Sequence, residues 1–361
     1  MFTVRIGIIG LPLAGKTTLF NLLCDSSAAT SAFIGANLEP NRGMAKVPDS
    51  RLDWLGQHFA PRRPIYCQID TTDLPGLRLS ESSSANTFLQ QVRQVDALVH
   101  VVRSYREGVE HLSGSIDPLR DLDNVQAELL LADLDLIEKR FERINAGRKI
   151  ITEQRAEMAV LEKCRAALEA EQPLASLGLT KEEEESISQH SFLSQLPQLV
   201  VINQDEEQFK AKTFPRQEEV EAWIAARGYH SLVVCAAMEE EIAKLPEEDK
   251  ELFMEDLGVD ECGSYRLARG MHALMGYISF FTVGDDQVRA WTLQQGQTAR
   301  KAAGRVHSDM EKGFIRAETV AFTDLVEHGS FPRLKELGML RLEGRDYIVK
   351  DGDILQIRFN L

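Results

Sequence analysis

The most constraining stretch of this 361-residue chain is Gly10-Leu11-Pro12-Leu13-Ala14-Gly15-Lys16-Thr17, which fits the pattern G-x4-G-K-[ST]. Its context matters as much as its spelling. Val4–Ile9 is a short, β-branched apolar run that reads as a buried strand, and Thr17–Cys24 reads as a helix. A glycine-containing turn between such elements aims successive backbone N–H groups, and the positive end of a helix, at an anion. The pattern predicts a loop that wraps the phosphates of a nucleoside triphosphate. Gly10, Leu13, Ala14, Gly15, Lys16, Thr17 and Thr18 are its expected lining. Lys16 is expected to reach the β- and γ-phosphates, and the Thr17 hydroxyl to bind Mg2+.

Four further segments read as buried strands: Tyr66–Thr71, Ala97–Val102, Gln198–Asn203 and Ser231–Ala236. They alternate with helical stretches, which predicts parallel β-α-β units and a doubly wound α/β sheet. A long insertion interrupts them. Leu119–Ile144 carries apolar residues at helical spacing, Asn145-Ala146-Gly147 punctuates it, and Ile150–Ala170 is helical again. That pair reads as a helical hairpin. The acidic run Glu182–Glu185 reads as a solvated helix face.

From Tyr277 the pattern changes. Phe280–Val283, Arg289–Leu293, Tyr347–Val349 and Ile354–Ile357 are short and strand-like, with a helix expected around Thr298–Asp309. The expected division is a nucleotide-binding domain over residues 1–118 and 195–277, a helical insertion over 119–194, and a small β-rich domain over 278–361.

Composition narrows the classes. The net charge is -15, which argues against indiscriminate duplex binding. No apolar run approaches the roughly 20 residues needed to cross a bilayer. The chain enters its first strand pattern directly from Met1, with no signal peptide expected. Its five cysteines are scattered, without a C-x-x-C pair, which suits a reducing compartment. The reading is a cytoplasmic protein, without membrane association or a transition metal.

A second motif follows the Tyr66–Thr71 run. Asp73-Leu74-Pro75-Gly76 fits D-x-x-G. Asp73 is expected to hold Mg2+ through water, and the Gly76 N–H to sense the γ-phosphate. Leu77 stands where many GTPases carry a water-orienting glutamine, and a leucine can neither orient nor deprotonate water. Hydrolysis then uses another group or runs very slowly. His111 is a candidate to orient water from outside the usual switch, weighed against a plain half-buried loop histidine. His100 reads as a core residue. Arg103 and Arg106 read as surface residues.

Base recognition falls to Asn203-Gln204-Asp205-Glu206. Guanine-specific relatives carry N-K-x-D here, so Gln204 replaces the lysine and Glu206 the aspartate. The longer Glu206 need not sit opposite guanine N1, so ATP is favoured over GTP. Backbone amides of Ala236, Ala237 and Met238 are expected to complete the base pocket.

Taken together, these motifs resemble the YchF/Obg-like ATPase family. The resemblance is carried by Gly10–Leu19, Glu39-Pro40-Asn41, Pro48–Leu52, Ala127–Asp135, Asn203-x-x-Glu206, Cys235–Glu239, Arg289–Thr292, Lys312–Ala317 and Tyr347–Asp353. It covers essentially the whole chain. It implies a P-loop domain, a coiled-coil-like helical insertion and a C-terminal TGS domain of β-grasp type. It further implies ATP hydrolysis, association with ribosomes and structured RNA, and roles in translation or stress response. A monomer is expected. Three positions depart from the family pattern: Leu13 replaces an asparagine, Asn37 aligns with the switch threonine, and Arg78–Asn86 replaces a glycine-rich stretch. Two other readings stay open at this point: a nucleotide sensor that no longer hydrolyses, and a guanine-specific GTPase.

Overall fold

The computed structural model describes residues 4–28, 40–60, 62–77, 82–105, 114–147, 150–256 and 258–360. In chain order its strands are β1 (Arg5–Ile9), β2 (Asn41–Val47), β3 (Arg63–Ile65), β4 (Cys67–Asp73), β5 (Ala97–Arg103) and β6 (Gln198–Asn203). They continue with β7 (His230–Val234), β8 (Tyr277–Val283), β9 (Gln287–Gln294), β10 (Phe314–Ala321), β11 (Arg341–Glu343) and β12 (Asp353–Phe359). Two compact units result. One comprises Val4–Met44 and Asp70–Leu267, the other Ala45–Ile69 and Ala268–Leu361.

The first sheet runs β2-β4-β1-β5-β6-β7. The steps from β4 through β7 are all parallel. β5 and β6 are buried at every position, so both read as unbroken apolar runs rather than alternating ones. Register brings the carboxyl ends of the strands to one edge: Ile8 lies beside Asp73, Ile9 beside His100, Arg103 beside Asn203, and Asn203 beside Val234. In such a sheet that edge carries ligands, because the connecting loops fan out there.

The helices α1 (Lys16–Cys24), α2 (Ser50–His58), α3 (Ser82–Val92), α4 (Pro118–Asn145) and α5 (Thr152–Glu169) follow in chain order. α4 starts where Asp117 accepts a bond from the Arg120 N–H and Pro118 needs no partner for its nitrogen. α4 and α5 form the expected hairpin around Ile137, Leu161, Cys164, Ile187 and Phe192. Asp133 is fully buried on α4. It accepts bonds from the N–H groups of Leu193 and Ser194, both at 2.8 Å, and from the Ser194 hydroxyl at 2.7 Å. The acidic run forms the short helix Lys181–Ile187, with Glu182, Glu184 and Glu185 exposed.

The second unit holds the sheet β11-β10-β12-β8-β9-β3. β10 pairs antiparallel with β11 and β12, β12 runs parallel to β8, and β8 antiparallel to β9. The helix Ala299–Val306 turns Ala299, Ala302 and Ala303 into a core with Phe280, Leu293, Ala317 and Leu355. A mixed sheet folded around one helix is the β-grasp arrangement. Within this unit Arg63–Ile65 pairs with Gln287–Arg289.

Three local expectations change. The strand expected over Ser231–Ala236 ends at Val234, because Ala236 starts a helix to Ala243. Tyr347–Val349 forms no strand: Ile348 makes one isolated bridge to Thr298. Arg103 is not a surface residue. It is buried, its Nε donates to the Tyr105 carbonyl at 3.0 Å, and its guanidinium lies 4.6 Å from the Tyr105 ring centre.

Candidate nucleotide site

The loop Gly10–Gly15 leaves the end of β1 and enters α1 through two glycines in left-handed conformations, Gly10 at φ +145° and Gly15 at φ +93°. A side chain at Gly10 would run into the Val101 carbonyl, and one at Gly15 into the Asn203 carboxamide. Leu13 also sits at φ +65°, a conformation that strains any residue with a Cβ. α1 has no side-chain cap, so its first N–H groups are left for an external acceptor. Thr18 is half-buried in the first turn of α1.

Lys16 is buried, and its ammonium donates to the Leu11 carbonyl at 2.9 Å. Burial pulls its pKa down to about 8, against the opposing pull of Asp73. The Thr17 hydroxyl donates to Asp73 Oδ2 at 2.7 Å. Its single proton is thereby committed, and its lone pairs stay available to a metal. Asp73 is buried, yet its Oδ1 has no hydrogen-bond partner among the described residues. An orphaned carboxylate oxygen beside a hydroxyl with unused lone pairs is a donor set suited to a hydrated, hard divalent cation.

After Asp73 the chain passes directly under the phosphate loop. The Leu74 N–H donates to the Ile8 carbonyl at 3.1 Å, and the Leu77 N–H to the Gly10 carbonyl at 3.2 Å. A Cβ at Gly76 would lie 2.6 Å from the Pro12 nitrogen. Only glycine permits this approach. Leu77 is fully buried among Ile9, Leu11, Leu74, Phe88 and Leu98. The position that carries a glutamine in many GTPases is here a core position.

Asn203 staples the loops together. Its Nδ2 donates to the Ala14 carbonyl at 3.0 Å, and its Oδ1 accepts from the Ala236 N–H at 3.1 Å. Ala236 is buried and Ala237 exposed. Met238 turns its side chain into an apolar cluster with Cys235 and Ile242, so only its backbone remains for a base. Glu206 is exposed at the start of the helix Glu206–Ala211, with its carboxylate 2.6 Å from Lys210. Gln204 is buried, and its Nε2 lies 3.5 Å from the Thr213 carbonyl.

The structure therefore brings together Gly10, Ala14, Gly15, Lys16, Thr17, Asp73, Gly76, Asn203 and Ala236. Glu206 stands at the rim. His111 and Asn37 lie outside the described residues. His100 is buried beneath the loop and takes a 2.9 Å hydrogen bond from the Gln198 amide. Sequence reasoning missed Asn41, whose Nδ2 donates to Asp73 Oδ2 at 3.1 Å. It missed Ser104, whose hydroxyl donates to the Asn203 carbonyl at 3.0 Å. It also missed the clamp role of Glu239, which accepts from the N–H groups of Gly263 and Ser264. Only Asn41 and Glu239 had a signal, as members of the Glu39-Pro40-Asn41 and Cys235–Glu239 motifs.

A parallel sheet with a glycine-bound phosphate loop, a buried lysine and a hydroxyl–carboxylate pair defines a P-loop nucleotide-binding protein of the GTPase class. Comparison with known proteins narrows this. A family model described as "50S ribosome-binding GTPase" matches residues 5–137. The YchF GTPase C-terminal model, described as "Protein of unknown function", matches residues 277–360. The "Ribosome-binding ATPase YchF" of Haemophilus influenzae is 40% identical, covering 99% of each chain. That of Bacillus subtilis is 37% identical, over 98% of this chain and 99% of its own. "Obg-like ATPase 1" of Caenorhabditis elegans is 34% identical, over 99% of this chain and 92% of its own. The solved structure of the Schizosaccharomyces pombe YchF GTPase superposes with a TM-score of 0.86 at 27% identity, covering 99% of this chain and 98% of that one. The chain belongs to the YchF/Obg-like ATPase family.

Proposed function

We infer that this protein is a Mg2+-dependent nucleoside triphosphate hydrolase that prefers ATP to GTP and works as a ribosome-associated switch. The observation that carries the reading is the convergence of Lys16, Thr17 and Asp73 on one loop at the carboxyl edge of a parallel sheet. Lys16 exchanges its bond to Leu11 for phosphate oxygens. Thr17 and, through water, Asp73 would hold Mg2+, which would neutralise phosphate charge. The N–H groups of the loop and of Gly76 fix the γ-phosphoryl group. Positioning and charge neutralisation supply the catalysis, and with Leu77 in the core the intrinsic turnover is about 10^-4 to 10^-2 per second. Phosphate release from the wild type compared with Lys16→Ala tests this, and equal release rejects it.

Glu206 supports ATP, since the longer carboxylate is not fixed opposite guanine N1, and the relatives are named ATPases. A calorimetric competition of ATP against GTP decides, and equal or tighter GTP binding overturns the preference. The ribosome enters from the relatives' names. We place the protein in the cytoplasm as a monomer, with the unit of Val4–Met44 and Asp70–Leu267 turning over nucleotide, and its helical insertion over residues 119–194 and the unit of Ala45–Ile69 and Ala268–Leu361 serving for docking. No helix among the described residues is long and apolar enough to cross a membrane. Structured RNA rests on the resemblance: of the basic residues of the C-terminal segment, Arg333 is paired with Glu336 and Arg341 with Asp353 and Glu343, while Lys335 and Arg345 are exposed. Co-sedimentation of the full chain with ribosomes, with and without a non-hydrolysable triphosphate, tests the partner.

A second reading has its own observation. The burial of Leu77, together with the departures at Leu13 and Asn37, favours a sensor that holds nucleotide without cleaving it. Bound triphosphate that survives long incubation with ribosomes would select that reading, and conversion to diphosphate would remove it.

A further inference from the structure

Oxygen Oδ2 of Asp73 receives two donors, the Thr17 hydroxyl at 2.7 Å and the Asn41 carboxamide at 3.1 Å. Each carboxylate oxygen has two lone pairs, so Oδ2 is filled. Oδ1 is buried and receives none from the described residues. A buried carboxylate that is fully served on one side and bare on the other is oriented. A buried carboxylate oxygen left without a donor carries an uncompensated desolvation cost. A water held by a metal beside Thr17 would supply that donor.

Asn41 is half-buried at the first position of β2 and faces Asp73 across 32 residues of sequence. A carboxamide is the group this contact requires. It donates without charge, whereas a carboxylate of the same shape would repel Asp73, and an alanine would leave the carboxylate held by Thr17 alone. With Thr17 as its only anchor, Asp73 can rotate and turn its free oxygen away.

We infer that Asn41 is a positioning residue for the metal–nucleotide complex: with Thr17 it locks Asp73 so that Oδ1 is presented to a metal-bound water. This rests on the nucleotide-hydrolase reading above. Groups that orient the partners of a metal in this way change metal affinity by about 10- to 100-fold when removed.

The experiment is a binding titration of a fluorescent ATP analogue to the full chain, in EDTA and in Mg2+. The readout is the metal enhancement, the ratio of the two dissociation constants. Asn41→Ala and the uncharged, near-isosteric Asn41→Leu should each cut the enhancement at least tenfold. Thermal unfolding of both variants is followed in parallel, and Asn41→Leu keeps the branched side-chain shape should Asn41→Ala fold poorly. An enhancement equal to that of the wild type in a folded variant overturns the inference, even if both dissociation constants rise together, because a merely structural role moves them together. A wild type that binds no nucleotide in either medium instead overturns the hydrolase reading beneath it.

Discussion

The ammonium of Lys16 donates to the carbonyl of Leu11, within the same loop that would cradle phosphate. The loop is thus closed on its own lysine, and burial holds that amine near pKa 8, well below its usual value. A polyphosphate prefers the charged amine, so binding takes up a proton once the free amine begins to deprotonate. Affinity for ATP should be nearly full at pH 7, about half that at pH 8 and about tenfold weaker at pH 9 than at pH 7. Calorimetry at pH 8.5 in two buffers of different ionisation enthalpy should report proton uptake. In Lys16→Arg, whose guanidinium stays charged, the pH dependence should vanish.

Leu77 invites the restoration of a glutamine. The structure argues the reverse outcome. The side chain is fully buried in an apolar cluster, so Leu77→Gln would place an amide there without partners. Hydrolysis should not rise, and the unfolding free energy should fall by about 2–4 kcal/mol, read from denaturant titration. A gain in turnover would mean that the segment after Gly76 leaves the core when nucleotide binds.

His100 gives the fold an acid limit. Burial, then the nearby charge of Lys16, lowers its pKa to about 3. The unfolded chain binds this proton near pH 6.5, so the stability from a neutral His100 is complete above that pH and drains away as pH falls towards 3. The slope is about 1.4 kcal/mol per pH unit. Denaturant unfolding at pH 7.5 and pH 5 should show a loss of about 2 kcal/mol from this group. In His100→Gln the loss should shrink by that amount, whatever its starting stability.

Arg51 closes the second unit. Its guanidinium grips Asp49 at 2.9 and 2.8 Å and Asp351 at 2.6 and 3.3 Å, and lies 5.2 Å from the Phe281 ring centre. Half of the Asp351 side chain is exposed, which moderates the gain. Arg51→Ala should cost about 1–2 kcal/mol, and Arg51→Lys should recover less than half, because an ammonium cannot fork between two carboxylates. A thermal-unfolding cycle with Asp351→Ala checks the pair, and additive losses would show that the two are not coupled.

Where the sequence spoke clearly, it did so through local period or a motif with one physical use. β6 was legible to the residue because an all-buried parallel strand is continuously apolar. The loop over residues 10–17 was legible because strand, glycines and helix each had to be present. Partners far apart in sequence were not legible. Nothing local marks Asn41 as facing Asp73, or Arg51 as reaching across 300 positions to Asp351. Arg103 misled because arginine is seldom buried, and only the fold supplies the Tyr105 ring and carbonyl that receive it. The sequence marks Leu77 as unable to activate water, but its place in the core follows only from the path of the backbone under Gly10.

The stretch Ala45–Ile69 belongs to the unit built by Ala268–Leu361. There Trp54 meets Phe322, Phe59 stacks on Phe331, and Arg63–Ile65 lengthens the sheet beside Gln287–Arg289. A chain cut near residue 277 would keep only the smaller part of that assembly and bare its aromatic rings, making a sticky fragment instead of a minimal enzyme. For the same reason neither portion can be traded between genes by recombination at a single junction: whatever inherits the tail must also inherit the stretch that precedes Asp73.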